Sequence, residues 1–186
     1  MSTFYEGEPV QKLEQQLTQP DFETAFLSYE HSISPLHRPA VRAGICVTAA
    51  VLFGSMIPWY AARFATVWFP LCGILLALAL AVYFCREQPK AVRRWAGNLF
   101  RSNRMLSLPC SVTVYRDSVA VKNEYETLTL YWTDYGACLE TGQYVILSGG
   151  LSRNFLILKK QGLTGEQQAA LSAHFRNTFA ARYRRR

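Results

Sequence analysis

Six basic side chains between positions 86 and 104 have the spacing expected for one face of a helix. At about 100° per residue they share an arc of roughly 100°, with Val92, Trp95 and Leu99 on the opposite side. A helix of this kind at a membrane surface presents its cations to anionic lipid head groups. The residues predicted to contact lipid are Arg86, Lys90, Arg93, Arg94, Arg101 and Arg104. The alternative is a solvated basic face whose apolar side docks on the domain that follows.

The distribution of charge also favours an acidic partner. Residues 86–186 carry sixteen basic and seven acidic side chains, whereas residues 1–42 carry three basic and six acidic ones. Anionic lipid explains the basic segment, because that segment directly follows an apolar stretch. Nucleic acid is the rival interpretation, and it applies most to the arginine-rich stretch Arg182–Arg186. We therefore expect a membrane partner and consider nucleic acid the less favoured one.

No arrangement of residues in this sequence is typical of an enzyme. It contains no glycine-rich phosphate loop, no G-x-S-x-G elbow and no C-x-x-C pair. Asp134, two residues after Trp132, could act as an acid, but a capping role that fixes the tryptophan in a core is favoured. The five cysteines are expected to be reduced packing residues, and the three histidines to be surface or capping residues. We predict a non-enzymatic protein without a cofactor or a metal ion.

Two apolar stretches, Ala43–Ala62 and Phe64–Cys85, lie almost back to back with only Arg63 between them. Each is close to the ~20 residues that a helix needs to cross the hydrocarbon core of a bilayer. Within that core every backbone amide must be satisfied internally. Both stretches are therefore predicted to be transmembrane helices joined as one hairpin.

The hairpin has a predicted turn and a predicted packing face. Pro58, Trp59 and Tyr60 suit an outer turn, with Trp68 and Pro70 just beyond it. Small residues allow helix backbones to approach closely in a membrane. The residues of this kind are Ala50, Gly54, Gly73, Ala77 and Ala81. They predict packing within the hairpin, with self-association of two chains as the alternative.

Flanking charge predicts the orientation of the hairpin. Basic residues precede the first stretch at Arg38 and Arg42 and follow the second from Arg86 onward, whereas only Arg63 marks the tip. By the positive-inside rule, both ends are expected in the cytoplasm of a bacterium, with the spans in the inner membrane. The first 42 residues lack a basic start followed by an apolar run, so no signal peptide is predicted there.

The segments that flank the hairpin are predicted to be helical. Thr18 and Asp21 have the spacing of a capped helix start, and apolar residues then recur at helical spacing as far as Ile33. A short strand is predicted just before this helix, at Leu13–Thr18. Beyond the second span, Pro89 is expected to separate the membrane helix from the basic amphipathic helix.

The remaining residues predict a small strand-rich domain. After Pro109 apolar residues alternate in six short segments separated by turns, one of them at Ser148–Gly150, which is typical of an antiparallel meander. Thr164 and Gln167 predict the capping box of a closing helix. The apolar stripe of this helix is predicted to consist of Leu171, Phe175, Phe179 and Tyr183. The stripe is expected to lie against the sheet.

A longer pattern runs through this domain: Tyr131-Trp132-Thr133-Asp134-Tyr135, then Leu139–Thr141, Tyr144–Leu147 and Phe155–Lys160. With this pattern the chain resembles the YcxB-like family of bacterial membrane proteins, which combine two spans with a small domain. The resemblance implies a pleckstrin-homology-like module and no catalytic activity. It also implies a domain-defining cluster at Trp132, Asp134, Lys159 and Lys160. Leu158 stands where the family usually has a proline before the final basic residue.

We therefore predict a membrane α-helical hairpin plus an α+β cytoplasmic domain, in which an antiparallel strand meander is closed by a C-terminal helix. Its segments are 1–42, with an amphipathic helix; 43–85, the hairpin; 86–106, the basic linker helix; and 107–186, the strand-rich domain. The predicted role is interaction or regulation at anionic lipid, with a protein partner or a second copy left open. The alternative is an immunity or accessory protein that acts on a membrane-active toxin or on a partner membrane protein.

Overall fold

The computed structural model describes residues 8–149 and 154–186. These residues form two compact units. The helical unit consists of residues 26–96, and the sheet unit consists of the described residues up to 25 and from 97 onward. The loop predicted at Ser148–Gly150 is wrong for Ser148 and Gly149, which belong to the strand Tyr144–Gly149, and residues 150–153 lie outside the described part of the chain.

Four α-helices and eight strands make up the described chain. The helices are α1 Gln19–Ile33, α2 Pro39–Phe64, α3 Trp68–Ser102 and α4 Gly165–Phe179. The strands are β1 Gln11–Gln15, β2 Cys110–Val114, β3 Ser118–Lys122, β4 Thr127–Tyr131, β5 Ala137–Glu140, β6 Tyr144–Gly149, β7 Asn154–Lys159 and β8 Tyr183–Arg185. Two of the helices, α1 and α3, begin in one unit and end in the other.

Helices α2 and α3 form the predicted hairpin, and both are long and apolar enough to cross a membrane. Far from the turn, the Arg42 guanidinium lies 5.5 Å from the centre of the Phe84 ring. Nearer the turn, a Cβ added to Gly73 would come within 2.7 Å of the Phe53 ring. Gly73 therefore permits the close approach of the two helices that its small size predicts.

The buried residues of this hairpin are small, as the predicted packing face requires. They include Cys46, Ala50, Ala77 and Ala81. Gly54, also predicted for this face, is not at a close contact, because no heavy atom lies within 4 Å of a Cβ added to it. Packing within the hairpin is therefore confirmed for Ala50, Ala77 and Ala81. The prediction that all cysteines are packing residues is wrong for Cys72 and Cys85, which are exposed.

Two predicted breaks in the helical unit are wrong. Pro58 lies inside α2, and the turn falls at residues 65–67, where Ala65 has a φ of 49°. Pro89 lies inside α3, which continues without interruption from the apolar stretch into the basic one. A proline has a φ that suits a helix, so the loss of one hydrogen bond leaves the flanking turns in place.

The sheet unit contains two four-stranded sheets, in the orders β1-β2-β3-β4 and β7-β6-β5-β8. All neighbouring strands are antiparallel except β5 and β8, in which Cys138 pairs with Tyr183 and Glu140 with Arg185. The six predicted strands are present as β2–β7, and consecutive strands pair antiparallel within each sheet, but they are divided between two sheets and do not form one meander. The strand predicted at Leu13–Thr18 is observed as β1, and the sequence did not predict β8, which contains the Tyr183 assigned to the helix stripe.

Segment 107–186 is consequently not the whole strand-rich domain. In β1, Leu13 pairs with Val112 and is buried in the core of the sheet unit. The Gln15 side chain then links the two sheets, because its amide nitrogen donates to the Ile157 carbonyl and its oxygen accepts from the Lys159 N–H, both at 2.8 Å. The N-terminal strand thus closes one side of the unit.

Helix α4 lies on this core through three of the four predicted residues. Leu171, Phe175 and Phe179 are all at most 1% exposed and belong to the same cluster as Trp132. The predicted capping box is present, since the Thr164 N–H donates to Gln167 Oε1 at 2.9 Å and the Gln167 N–H donates to Thr164 Oγ1 at 3.3 Å. Local spacing alone therefore placed this helix correctly.

Candidate functional site

All six basic residues predicted to contact lipid are exposed. Arg86, Lys90, Arg93 and Arg94 belong to the helical unit, whereas Arg101 and Arg104 belong to the sheet unit. Two of them have partners on the same helix. Lys90 forms an exposed ion pair with Glu87 at 2.9 Å, and Arg101 donates to Asn98 Oδ1 at 2.7 Å. The other four form no ion pair within the described ranges.

The apolar residues opposite this basic face are only partly buried. Trp95 is 56% exposed and lies 5.0 Å from Phe26, and Leu99 is 39% exposed. The residue of this helix that packs inside the sheet unit is Phe100, whose ring lies 5.7 Å from Phe22. The alternative prediction, that the apolar side of this helix docks on the following domain, therefore applies to Phe100. Trp95 and Leu99 remain accessible.

Trp132 is a core anchor at the start of a short 3₁₀ helix between β4 and β5. Its indole N–H donates to the Arg116 carbonyl at 2.9 Å, and its ring lies 5.4 Å from Phe175. Asp134 caps the same turn, because its carboxylate accepts from the Tyr131 N–H at 3.0 Å. These contacts match the capping interpretation. His174, expected to be a surface or capping residue, is half-buried, and its ring lies 6.0 Å from that of Trp132.

The four residues of the predicted domain-defining cluster do not share their contacts. Trp132 and Asp134 act in the turn before β5, whereas Lys159 and Lys160 form separate ion pairs at the end of β7. The reason is that consecutive residues of a strand point to opposite sides, so Lys159 and Lys160 meet different carboxylates. The predicted cluster therefore combines residues from two separate sets of contacts, one in the turn before β5 and one at the end of β7.

Lys159 is paired with Asp21 of the N-terminal helix. Its Nζ lies 2.7 Å from Asp21 Oδ2, and the Tyr144 hydroxyl donates to Asp21 Oδ1 at 2.7 Å. Burial would raise the pKa of Asp21, but hydrogen bonds from Lys159, Thr18 and Tyr144 lower it overall. Burial and the facing carboxylate raise the pKa of Tyr144 to about 12. Asp21 is thus held ionised and also caps α1.

Lys160 is paired with Glu140 in the interior of the sheet unit. Its Nζ lies 2.5 Å from Glu140 Oε1 and also donates to the Thr141 carbonyl at 2.8 Å. Glu140 accepts from Ser172 Oγ at 2.7 Å and from the Tyr183 hydroxyl. Burial would raise the pKa of Glu140, but the bonds from Lys160, Tyr183 and Ser172 lower it overall.

Sequence reasoning predicted the capping role of Asp21, which the contacts with Thr18 confirm, but missed its ion pair with Lys159 and missed Glu140 altogether. The signal for Glu140 was present, because a charged residue ends the strand Ala137–Glu140 next to the apolar residues Cys138 and Leu139. Neither carboxylate has the raised pKa that a general acid at neutral pH requires. In the described ranges, no three His, Cys, Asp or Glu residues lie close enough to hold a metal ion.

Two open pockets flank Lys160 and share Gly142 and Gln168 as lining residues. The first, of about 470 Å³, also contains Asp21, Tyr144 and Lys159. The second, of about 570 Å³, lies between α4 and the strand β8. The basic residues that line the second pocket are Lys160, Arg176, Arg185 and Arg186. This pocket can therefore attract an anion.

No protein-family profile, curated protein or solved structure matches this chain. The resemblance to the YcxB-like family therefore stays a prediction. The residues quoted for it have structural contacts in the sheet unit, where Trp132 and Asp134 build a turn and the two lysines form ion pairs.

Proposed function

We propose that this protein spans a membrane twice and presents its sheet unit as a non-enzymatic interaction or regulatory module beside anionic lipid. The supporting observation is the continuity of α3, which leads from the apolar stretch into the basic one without a break. A helix that enters the hydrocarbon core at Trp68 leaves it after ~20 residues. Arg86, Lys90 and Arg93 would then lie at the level of the lipid head groups or just beyond it.

The exposed apolar surface of the hairpin supports its insertion in lipid. Val51 on α2 is 67% exposed and Leu75 on α3 is 68% exposed, and neighbouring residues are similarly accessible. Water-soluble proteins rarely expose a large continuous apolar surface unless another apolar surface covers it. Lipid tails cover such a surface without any specific contact, which matches a hairpin that buries mainly small residues between its own helices.

Charge supplies the attraction to anionic lipid. Each basic residue near an anionic surface contributes ~1 kcal/mol, an effect that salt screens over about a Debye length. Lys90 contributes less than it would alone, because Glu87 forms an ion pair with it. The exposed Trp95 has the mixed apolar and polar character that favours the membrane interface. On this proposal, the positive-inside rule places both ends of the chain in the cytoplasm.

Native mass spectrometry of the full-length protein in mild detergent tests this proposal. The wild-type protein should retain phosphatidylglycerol in preference to phosphatidylcholine, and salt should weaken the retention. The double substitution Arg93→Glu with Arg94→Glu should reduce it about tenfold or more, since it reverses two charges at the predicted interface.

The matched control is Arg116→Glu with Lys122→Glu, which reverses two exposed charges in the sheet unit. It changes the net charge by the same amount and should leave lipid retention near the wild-type level. Equal retention by the two double variants, or no preference for phosphatidylglycerol in the wild type, would contradict the proposal.

A further inference from the structure

The larger open pocket of the sheet unit owes its volume to small residues on α4. Gly165, Ala169, Ser172 and Ala173 line it at spacings of three and four residues, which places them on one face of the helix. No heavy atom lies within 4 Å of a Cβ added to Gly165 or to Gly142 on the facing turn. The pocket therefore has about 570 Å³ of open space for a ligand.

Strand β8 directs one arginine into this pocket. Arg185 pairs with Glu140 in the parallel register, and Glu140 also lines the pocket. Side chains alternate along a strand, so Arg185 lies on the same side as Tyr183, and Arg184 lies on the other side. The backbone N–H of Arg186 donates to the Glu140 carbonyl at 2.9 Å and fixes this segment next to the pocket.

Basic residues outnumber acidic residues in the lining of the pocket. Lys160 and Glu140 neutralise each other, and the Glu140 oxygens already accept from Ser172 and Tyr183. Arg176 lies over the Tyr183 ring at 5.9 Å and interacts with its hydroxyl, and it forms no ion pair with a carboxylate in the described ranges. The Arg185 side chain forms no hydrogen bond or ion pair with a residue in the described ranges. The lining residues thus include four basic side chains and one acidic side chain, Glu140, which is already paired with Lys160.

We propose that this pocket binds a phosphate-bearing anion, with Arg176 and Arg185 as its main cationic ligands. A phosphate group carries about −1.5 to −2 charges at neutral pH and accepts several hydrogen bonds, so it suits converging guanidinium groups better than a single carboxylate. Gln168 and Ser172 supply further polar groups along the same wall. The phosphate belongs either to a free phosphate compound or to a lipid head group.

This site is distinct from the proposed lipid contacts, because none of those six basic residues lines the pocket. The test uses the full-length protein in nanodiscs of phosphatidylcholine, whose zwitterionic head group carries no net charge. Isothermal titration with pyrophosphate at low salt should show saturable binding to one site per chain. The Arg93→Glu with Arg94→Glu variant should bind pyrophosphate like the wild type, which separates this inference from the lipid proposal.

Arg185→Gln should weaken pyrophosphate binding about tenfold or more, because it removes one charge-assisted contact. Arg184→Gln is the matched control, since it removes the same charge from the opposite side of the same strand, and it should change the affinity less than about twofold. Arg176→Gln is a second variant expected to weaken binding. Thermal midpoints of the variants identify any that lose affinity by unfolding.

A second arm distinguishes the two sources of phosphate. If the natural ligand is a lipid head group, phosphatidic acid in the disc should compete and reduce the apparent affinity for pyrophosphate several-fold. An unchanged affinity supports a free phosphate compound. Absence of saturable pyrophosphate binding to the wild type would overturn the inference, as would equal affinities of the Arg185→Gln and Arg184→Gln variants.

Discussion

Glu140 and Lys160 form an ion pair of 2.5 Å in which both side chains are almost completely buried, at 2% and 7% exposure. The pair connects the end of β5 to the residue after β7. Through Ser172 and Tyr183 it also reaches α4 and β8. One carboxylate therefore holds four elements of the sheet unit together and forms the floor of the basic pocket.

Removal of the Lys160 charge should destabilise the sheet unit strongly. Lys160→Met leaves the Glu140 carboxylate buried without its counter-ion, which costs about 3–5 kcal/mol of the free energy of unfolding. The measurement is urea unfolding of the full-length protein in detergent, with alkylation of the buried Cys138 as the reporter. Lys122→Met, at an exposed position of β3, should change the free energy by less than about 0.5 kcal/mol. Similar losses in both variants would show that the pair contributes little.

Acid should destabilise the sheet unit through the same carboxylates. The pKa values of Glu140 and Asp21 lie below their ordinary values of 4.5 and 3.8, so the unfolded chain takes up protons that the folded chain does not. The contribution of these two carboxylates to the free energy of unfolding is fully present above their ordinary pKa values. It is lost as the pH falls through the lowered pKa values of the folded state. The urea midpoint, measured from pH ~6 to pH ~3, should fall less steeply for Glu140→Gln than for the wild type. Identical slopes would contradict the assignment to Glu140.

The apolar stripe of α4 predicts a large loss on truncation. Phe175 is fully buried and packs on both Trp132 and Phe179. Phe175→Ala should lower the free energy of unfolding by about 3–5 kcal/mol, because it removes this contact area and leaves a cavity. Asn177→Ala, on the exposed side of the same helix, serves as the control in the same unfolding assay. A small effect of Phe175→Ala would mean that α4 is not anchored by this residue.

The N-terminal strand should be essential to the sheet unit despite its distance along the chain. Leu13→Asp places an unpaired carboxylate in the core and should abolish the cooperative urea transition reported by Cys138. Lys12→Asp changes the neighbouring residue, whose side chain is exposed, and should keep the transition. Equal behaviour of the two variants would show that β1 does not pack as described.

The two ends of the chain should lie on the same side of the membrane. Reporters that are active only in the periplasm, fused to either end, should be inactive, because basic residues flank both helices away from the tip. A fusion at Ala65, in the turn between α2 and α3, should be active. Activity from either terminal fusion would overturn this orientation.

The sequence by itself determined the features that depend on neighbouring residues. Two apolar stretches of suitable length predicted α2 and α3, and the spacing of Thr164 and Gln167 predicted the start of α4. The alternation after Pro109 predicted six strands in nearly their observed positions. These signals are readable because helix caps, helix faces and strand faces are set by residues within a few positions of one another.

The tertiary structure decided which distant segments meet. The pairing of Leu13 with Val112 joins residues on either side of the hairpin, and the pairing of Glu140 with Arg185 adds a strand of only three residues. A strand of three residues carries almost no periodicity, and the partners of both β1 and β8 lie far along the chain, where local sequence does not indicate them. The ion pair of Asp21 with Lys159 and the basic pocket exist for the same physical reason. They form only where the packed core brings side chains from remote parts of the sequence together.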